Sequence, residues 1–322
     1  MKLVSVVIVN YHDIYYISQC LSALQMQSYP NMEIIVIDND STIETEEFLN
    51  NRHPEVRSIL IPVNLGFAGG SNIGIKASKG DYILILNPDT IPKPDFVESL
   101  VQCMESGQII GMCMGKMLYP DGRLNSAGIC ISLSGAAWDR GMGEPDTGQY
   151  NEPGEILGPC GGAALYNRKM LEEVGGFDND FFLFMEDVDI GVRGRLAGWK
   201  CYYCPQAIVS HHHGMSIKQH SDDAVYYGNR NVIWYPVKNF PLLILLFSLP
   251  WIIGRTICVI VYYTAKGQCT VILKSKIDGI LGIPLMIRKR KYVNRSINNR
   301  LFLDWIHVWA KIPSSKRITK RY

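Results

Sequence analysis

The sequence predicts an α/β protein built on a doubly wound, mostly parallel sheet. Three observations carry this. Over the first hundred residues, short β-branched runs alternate with stretches of helical period. The runs end in polar residues, at the sheet edge where open α/β folds bind ligands. The chain of 322 residues, 47% hydrophobic and 19% charged, suits one large or two ordinary globular domains and excludes disordered or collagen-like architectures.

Leu3–Val9 is a continuous apolar run, the mark of a strand buried on both faces. It is short for a secretory leader, follows a single Lys and precedes no cleavage-like site, so it reads as the first strand. Ile14, Ile17, Leu21 and Leu24 recur at helical spacing, and Tyr29-Pro30 stops that helix. Glu33–Ile37 is the second strand, and Ser41 with Glu44 forms a capping box for the next helix. Ser58–Ile61 is a third strand, Ser71 opens a short helix, and Asp81–Leu86 is a fourth strand. From Pro94 to Met104, Phe96, Val97, Leu100, Val101 and Met104 share one helical face.

The Gly-rich middle, 111–158, reads as long loops and short strands over the sheet. Asn167–Val174 is a helix capped by Asn167 and ended by Gly175-Gly176. Glu186–Ala197 is another, with acids in its first turn and Arg193 and Arg195 in its last, as the helix dipole favours. Lys200–Cys204 is a late strand. The nine cysteines are scattered; Cys201 and Cys204 form a lone CxxC without a second ligand pair, which fits reduced, buried thiols.

Charge is divided along the chain. Residues 264–322 hold 14 Lys/Arg against 2 Asp/Glu, and the remainder holds 18 against 28. An acidic body with a basic end points to an end that meets something anionic. Just before it, Phe240–Tyr263 is apolar but contains Arg255, Pro241, Pro250 and Gly254. A span needs ~20 apolar residues, and a central Arg costs ~2.5–3.5 kcal/mol, which disfavours a clean single crossing. An interfacial or re-entrant helix pair and a buried core helix both fit; the adjacent basic end favours the membrane.

The polar strand ends carry the candidate chemistry. Strand one ends in Asn10-Tyr11, strand two in Asp38-Asn39-Asp40, and strand four in Asn87-Pro88-Asp89. Strand three leads into Asn64–Asn72, where Gly69 and Gly70 would let backbone N–H groups approach a phosphate or ribose. This is not a GxGxxG after strand one, so a dinucleotide-binding site is disfavoured. Asn87-Pro88-Asp89 resembles an Asp-x-Asp metal motif with its first acid replaced; a hard cation needs only one or two carboxylates beside substrate phosphates. Glu186, Asp187 and Asp189 follow an aromatic run at a helix start, where burial can make a carboxylate a base. His211-His212-His213 offers imidazole ligands, of which neighbours on an extended chain point opposite ways.

With these residues in place, the chain is similar to the family 2 glycosyltransferases of the GT-A type, near their rhamnosyltransferase-like branch. The resemblance runs from about Val4 to Lys238. It rests on Val4–Tyr11, Val36–Ser41, Asn64–Gly74, Leu86–Thr90, Gly161–Ala163, Gly175–Asp178, Phe182–Arg193, His211–Ser216 and Arg230-Asn231. It implies that Asn10, Tyr11 and Asp38 contact the donor nucleotide, in a pocket lined by Asn64, Gly69, Gly70 and Asn72. It implies that Asp89 and His211 hold a divalent metal, Mg²⁺ or Mn²⁺, on the donor diphosphate. Asp187 would be the general base, with Glu186 as second candidate, and Gly161, Gly162 and Ala163 would lie beside the donor and acceptor sugars. Asn87 is the departure from the family's Asp-x-Asp.

The implied function is inverting transfer of a sugar, with rhamnose as a candidate, from a nucleoside diphosphate to a cell-surface polysaccharide or lipid-linked acceptor. Residues 1–239 would form the catalytic domain. Residues 240–322 would contact an anionic membrane, placing the enzyme on the cytoplasmic face of the plasma membrane, with no nucleic-acid partner. Two other readings stay open: a nucleotidyltransferase, although Val9–Ile14 holds neither Gly nor Lys/Arg, and a membrane-associated nucleotide-sugar-binding protein without activity.

Overall fold

The computed structural model describes residues 1–106, 109–212 and 221–309. His213 and Ser216, both within motifs named above, lie outside the described residues, as does 310–322 of the basic end.

The first half alternates as its periodicity requires: β1 (Val4–Asn10), α1 (Ile14–Gln25), β2 (Met32–Asn39), α2 (Ile43–Arg52), β3 (Arg57–Ile61), α3 (Gly66–Ala77), β4 (Tyr82–Leu86), β5 (Thr90–Pro92) and α4 (Phe96–Met104). All seven residues of β1 are buried, because helices cover both faces of the sheet. Asp13 caps α1 by accepting the Tyr16 N–H. The cap of α2 is Thr42, which accepts the Thr45 N–H, one residue after the Ser41 expected from sequence. The helix expected to open at Ser71 begins at Gly66, so the glycine stretch is helix rather than open loop. Packing is the reason: a Cβ on Gly70 would lie 2.7 Å from Val9, and one on Gly74 would clash with Val7. Glycine lets α3 press onto β1.

The second half holds β6 (Ile110–Leu118), β7 (Leu124–Ser126), β8 (Ile129–Ser132), β9 (Ala137–Asp139), β10 (Gly154–Ile156), β11 (Ala163–Asn167), α5 (Arg168–Val174), α6 (Glu186–Leu196) and β12 (Lys200–His211). The expectation of long loops and short strands over 111–158 describes β7 to β10, but not β6, a nine-residue strand inside the main sheet. Gly111 and Gly115 break its pattern, yet a Cβ at Gly115 would strike the Ala207 carbonyl of β12, so the small residue permits the pairing. The late strand likewise continues past Pro205 to His211, with register shifts along its pairing with β6. α5 has the expected Asn167 cap and a left-handed Gly175 at its end.

The main sheet runs β10-β12-β6-β11-β4-β1-β2-β3. β1 is parallel to β2 and β4, and β2 to β3. β11 is antiparallel to both β4 and β6, while β12 is parallel to β6. This topology decides where the site lies. The carboxyl ends of β1, β2, β4 and β12 open on one edge, and the reversed β11 brings its amino end, with Gly161-Gly162 before it, to the same edge.

A second core joins β8, α6 and four C-terminal helices, α7 (Asp222–Asn239), α8 (Leu242–Ala265), α10 (Ile283–Lys289) and α11 (Asn299–Leu303), while α9 (Cys269–Leu281) packs against α7 beside it. Ile131, Phe181, Val192, Tyr235, Phe240, Met286 and Phe302 meet there. The composition break at 239/240 therefore falls inside one packed core. A short strand, β13 (Ile306–His307), completes a separate sheet of order β13-β8-β9. The apolar segment is one continuous helix, α8, rather than a helix pair, and it carries Pro250 in its interior.

Candidate active site

Asn10 and Asp38 are paired in register at the ends of β1 and β2, and Asn10 Nδ2 donates to Asp38 Oδ1 at 3.1 Å. Both side chains are almost wholly buried. Asn10 Oδ1 and Asp38 Oδ2 have no partner among the described residues. Burial raises the Asp38 carboxyl, and the bond from Asn10 opposes that rise. Tyr11 is more than a third exposed beside them. The next residues turn sharply: His12 and Asp40 have positive φ, 52° and 72°, and His12 Nε2 lies 3.1 Å from Asp40 Oδ2. Such conformations in non-glycine residues cluster at functional sites.

The wall beside this pair is held internally. Asn64 Oδ1 accepts from Asn39 Nδ2 at 2.9 Å and from the Gly66 N–H at 2.8 Å. Asn72 bridges α3 to 177–179, donating to the Phe177 carbonyl at 2.8 Å and accepting the Phe177 N–H at 3.0 Å. Gly69 and Gly70 are buried in α3.

Asp89 follows β4 and is nearly buried; its Oδ1 lies 3.2 Å from His211 Nε2 at the end of β12. Asn87 Nδ2 lies 3.4 Å from the same nitrogen. His211 Nδ1 is 2.9 Å from Asn125 Oδ1, which can accept a hydrogen bond from that nitrogen; with the proton there, Nε2 would present its lone pair on the Asp89 side. An imidazole nitrogen and a carboxylate oxygen side by side are ligand types that a divalent cation takes. Among the described residues there is no group of three or more His, Cys, Asp or Glu around a common point. The donor set thus fits a hard cation that completes its shell with diphosphate oxygens and water, and does not fit an all-protein cage.

Asp187 opens α6. Its Oδ2 accepts the Gly161 N–H at 2.9 Å and its Oδ1 the Val188 N–H at 2.8 Å. Burial raises its pKa, and these backbone bonds hold the rise in check. Glu186 is 5% exposed, its Oε2 has no partner among the described residues, and burial together with the Asp187 charge pushes it well above the carboxylate range. The link to the metal-binding candidates is short in sequence: Gly162 accepts the Asn87 N–H through its carbonyl at 2.9 Å, and a Cβ on Gly162 would meet His211 at 3.2 Å and Asn87 at 3.5 Å. Ala163 follows, paired with Leu86. Asp187, Gly161–Ala163, Asn87, Asp89 and His211 therefore form one contiguous group, with Asn10 and Asp38 on the neighbouring strand ends.

Sequence reasoning missed three members. Asp139, at the end of β9, is pushed up to about 6 by burial and by the Asp187 charge, against a hydrogen bond from Ser126; its Oδ1 is buried without a partner among the described residues. Asn125 orients His211. Asn231 of α7 donates to the carbonyls of Phe181, Leu183 and Phe184 and so shapes the turn into Asp187. Asp139 and Asn125 sit in a Gly-rich stretch with no periodic pattern to mark them, whereas Asn231 stands in a motif of the resemblance.

Comparison with known proteins gives the family and the fold. Residues 5–175 match the profile of Glycosyl transferase family 2. The chain is 28% identical over 236 residues to N-acetylglucosaminyl-diphospho-decaprenol L-rhamnosyltransferase of Mycobacterium tuberculosis, covering 64% of this chain and 75% of that protein. It is 34% identical over 104 residues to the glycosyltransferase GlyG of Streptococcus pneumoniae, covering 31% of this chain and 35% of that one. In fold it matches GalNAc-T7, solved with UDP, GalNAc and Mn²⁺, at a TM-score of 0.61 and 17% identity, over 74% of this chain and about half, 49%, of that chain. It also matches the mannosyltransferase PcManGT of Pyrobaculum calidifontis, solved with GDP-Man and Mn²⁺, at 0.54 and 16% identity, over 91% and 85%. The GT-A-type α/β fold is common to all of these observations, and with its profile covering more than half of the sequence the chain belongs to glycosyl transferase family 2.

Proposed function

We propose that this glycosyltransferase moves a sugar, rhamnose being the first candidate, from a nucleoside diphosphate to a polysaccharide or lipid-linked acceptor, with inversion in a single displacement. The observation that carries the proposal is the contiguity of Asp187 with the Asp89–His211 pair through Gly161-Gly162. Inversion needs one base on the face opposite the leaving group. Asp187 suits that role: it is partly exposed, raised by burial, and fixed by two backbone donors. Glu186 is buried, and burial with the Asp187 charge shifts it toward its neutral form, which supports a positioning part for it.

Asn10, Tyr11 and Asp38 take the nucleotide, the unpartnered oxygens of the first and third matching donor groups of a base or ribose. Asn64, Gly69, Gly70 and Asn72 set the wall behind them. Gly161, Gly162 and Ala163 lie where the sugars meet. A divalent cation, Mg²⁺ or Mn²⁺, would be held by Asp89 and His211 and would neutralise the leaving diphosphate as a Lewis acid. Residues 1–239 carry transfer, and 240–322 bring the enzyme to the anionic cytoplasmic face of the plasma membrane, in keeping with the mycobacterial relative, whose name specifies a decaprenol-linked acceptor.

A panel of nucleotide sugars tests the reading: rhamnose, glucose, galactose, N-acetylglucosamine and mannose donors, scored by thermal shift with Mn²⁺ present. One donor is expected to raise the melting temperature in a Mn²⁺-dependent way and to be consumed when a glycan acceptor extract is added. No shift with any donor would overturn it.

A further inference from the structure

α8 is 24 residues long, about 36 Å at 1.5 Å per residue, which would cross a hydrocarbon core of ~30 Å. Its packing argues against the crossing. α8 returns antiparallel along α7: Ile244 packs in the core with Phe240, Arg255 faces Tyr235, Tyr263 hydrogen-bonds Asn229, and Gln268 just beyond its end donates to Asp222 at 2.8 Å. α8 thus runs back alongside α7 from the loop that joins them to the start of α7. α7 in turn is pinned to the catalytic body by Asn231 and by Lys238, which pairs with Asp178 and Asp189. A spanning helix would have to carry one of its ends to the far side of the bilayer and break these bonds.

The other face of α8 is bare. Leu243, Leu246, Phe247, Ile253, Ile257 and Val261 are 53–72% exposed, and the segment's one charge, Arg255, is turned to the packed side with a buried Nη1. The apolar surface continues onto α9 and α10 through Ile277, Leu281 and Ile287. The same segment carries the exposed cations Lys266, Lys274, Arg288, Lys291 and Arg300. Of the two acids in 264–309, Asp278 is engaged by the Tyr226 hydroxyl at 2.6 Å. An apolar stripe accompanied by cations is complementary to an anionic leaflet and to its acyl chains together.

We propose that α8, with α9 and α10, lies in the plane of a single anionic leaflet as a monotopic anchor and does not span the bilayer. The proposal rests on the membrane contact of the function proposed above and fixes its geometry. A leaflet-bound α8 stands one helix away from Asn231, the residue that holds the turn before Asp187, so the enzyme works close to the surface that carries a lipid-linked acceptor.

The test uses the full chain with the exposed Cys258 and the partly exposed Cys103, Cys130, Cys160 and Cys269 changed to Ser, so that only buried native thiols remain. One accessible cysteine at a time, placed by Leu246→Cys, Ile253→Cys or Val261→Cys, all exposed positions, is labelled with an environment-sensitive fluorophore. Labelled protein is mixed with phosphatidylcholine vesicles containing about a third phosphatidylglycerol and lipids spin-labelled at shallow or deep acyl positions. In-plane seating predicts the same shallow depth for all three labels, ~5–10 Å below the headgroups, and weaker binding when phosphatidylglycerol is omitted. A central label at the bilayer midplane with end labels at the interface would overturn the seating, leaving sugar transfer to be judged by the donor panel. Absence of quenching at every site would overturn the lipid face itself; a concentration-dependent dimer in sedimentation would then assign the stripe to a second copy.

Discussion

The side-chain amide of Asn231 donates to the carbonyl of Phe184 at 2.7 Å, and the same nitrogen also reaches the carbonyls of Phe181 and Leu183, at 2.8 and 2.9 Å. Phe182, Phe184 and Met185 all have positive φ, between 63° and 71°, which L side chains adopt at a cost of ~1–3 kcal/mol each. One buried amide therefore holds a strained turn whose next two residues are Glu186 and Asp187.

Asn231→Leu keeps the volume and removes the donor. Each carbonyl left unsatisfied costs ~1–3 kcal/mol, so a melting temperature several degrees lower is expected, with turnover falling further because the turn relaxes and moves Asp187. Turnover unchanged in a folded variant, judged by melting and initial rates together, would remove Asn231 from the positioning role.

Asp187→Asn keeps an acceptor for the Gly161 N–H and takes away the base. A loss of ~10²–10⁴ in turnover is expected, the range of general-base contributions, with the thermal shift by donor retained. Glu186→Gln, at a carboxyl that burial shifts toward its neutral form, is expected to lose far less. Equal losses in the two variants would shift the base assignment.

Asp89→Ala removes the carboxylate beside His211 and is expected to weaken donor binding and to blunt the Mn²⁺ response of the thermal shift. Asn125→Leu should act in the same direction at smaller size, because His211 loses the acceptor that fixes its tautomer. Mn²⁺ titration read by electron paramagnetic resonance checks both without reference to turnover. Binding insensitive to either change would count against these ligands.

The first half of the fold was legible because β1 and β4 are buried on both faces, β2 over its second half, and helices such as α4 are amphipathic, so period alone marks them. The site edge was legible for the same reason: polar residues ending apolar runs stand out. β6 was hidden because Gly111 and Gly115 answer a tertiary demand, the close approach of β12, that local propensity does not record. Asp139 was hidden because its setting is made by contacts with segments far off in the chain, Asp187 among them. The glycines of α3 were noticed, but as an open loop; their purpose is helix-on-strand contact with Val7 and Val9.

Acid stability provides the last prediction. Burial alone would raise Asp178, but Lys238 and Lys289 overcome it and hold the carboxyl at about 2, below its ordinary value of 3.8. A depressed folded value means that the pairing stabilises fully above pH ~3.8 and that this contribution is lost as pH falls through about 2. The contribution is roughly 2 kcal/mol at neutral pH. Asp189, fully buried, is also held below its ordinary range: burial opposes the shift, and Arg193 and Lys238 prevail. Lys238→Met strips both carboxylates of a shared cation, and breaking a buried pair in this way costs ~3–5 kcal/mol. The variant is expected to melt lower at pH 7 and to lose less stability between pH 4 and pH 2 than the parent, since its Asp178 already binds a proton more readily. Urea unfolding at several pH values measures both quantities. Parallel pH curves for parent and variant would show that Lys238 does not set the titration of Asp178.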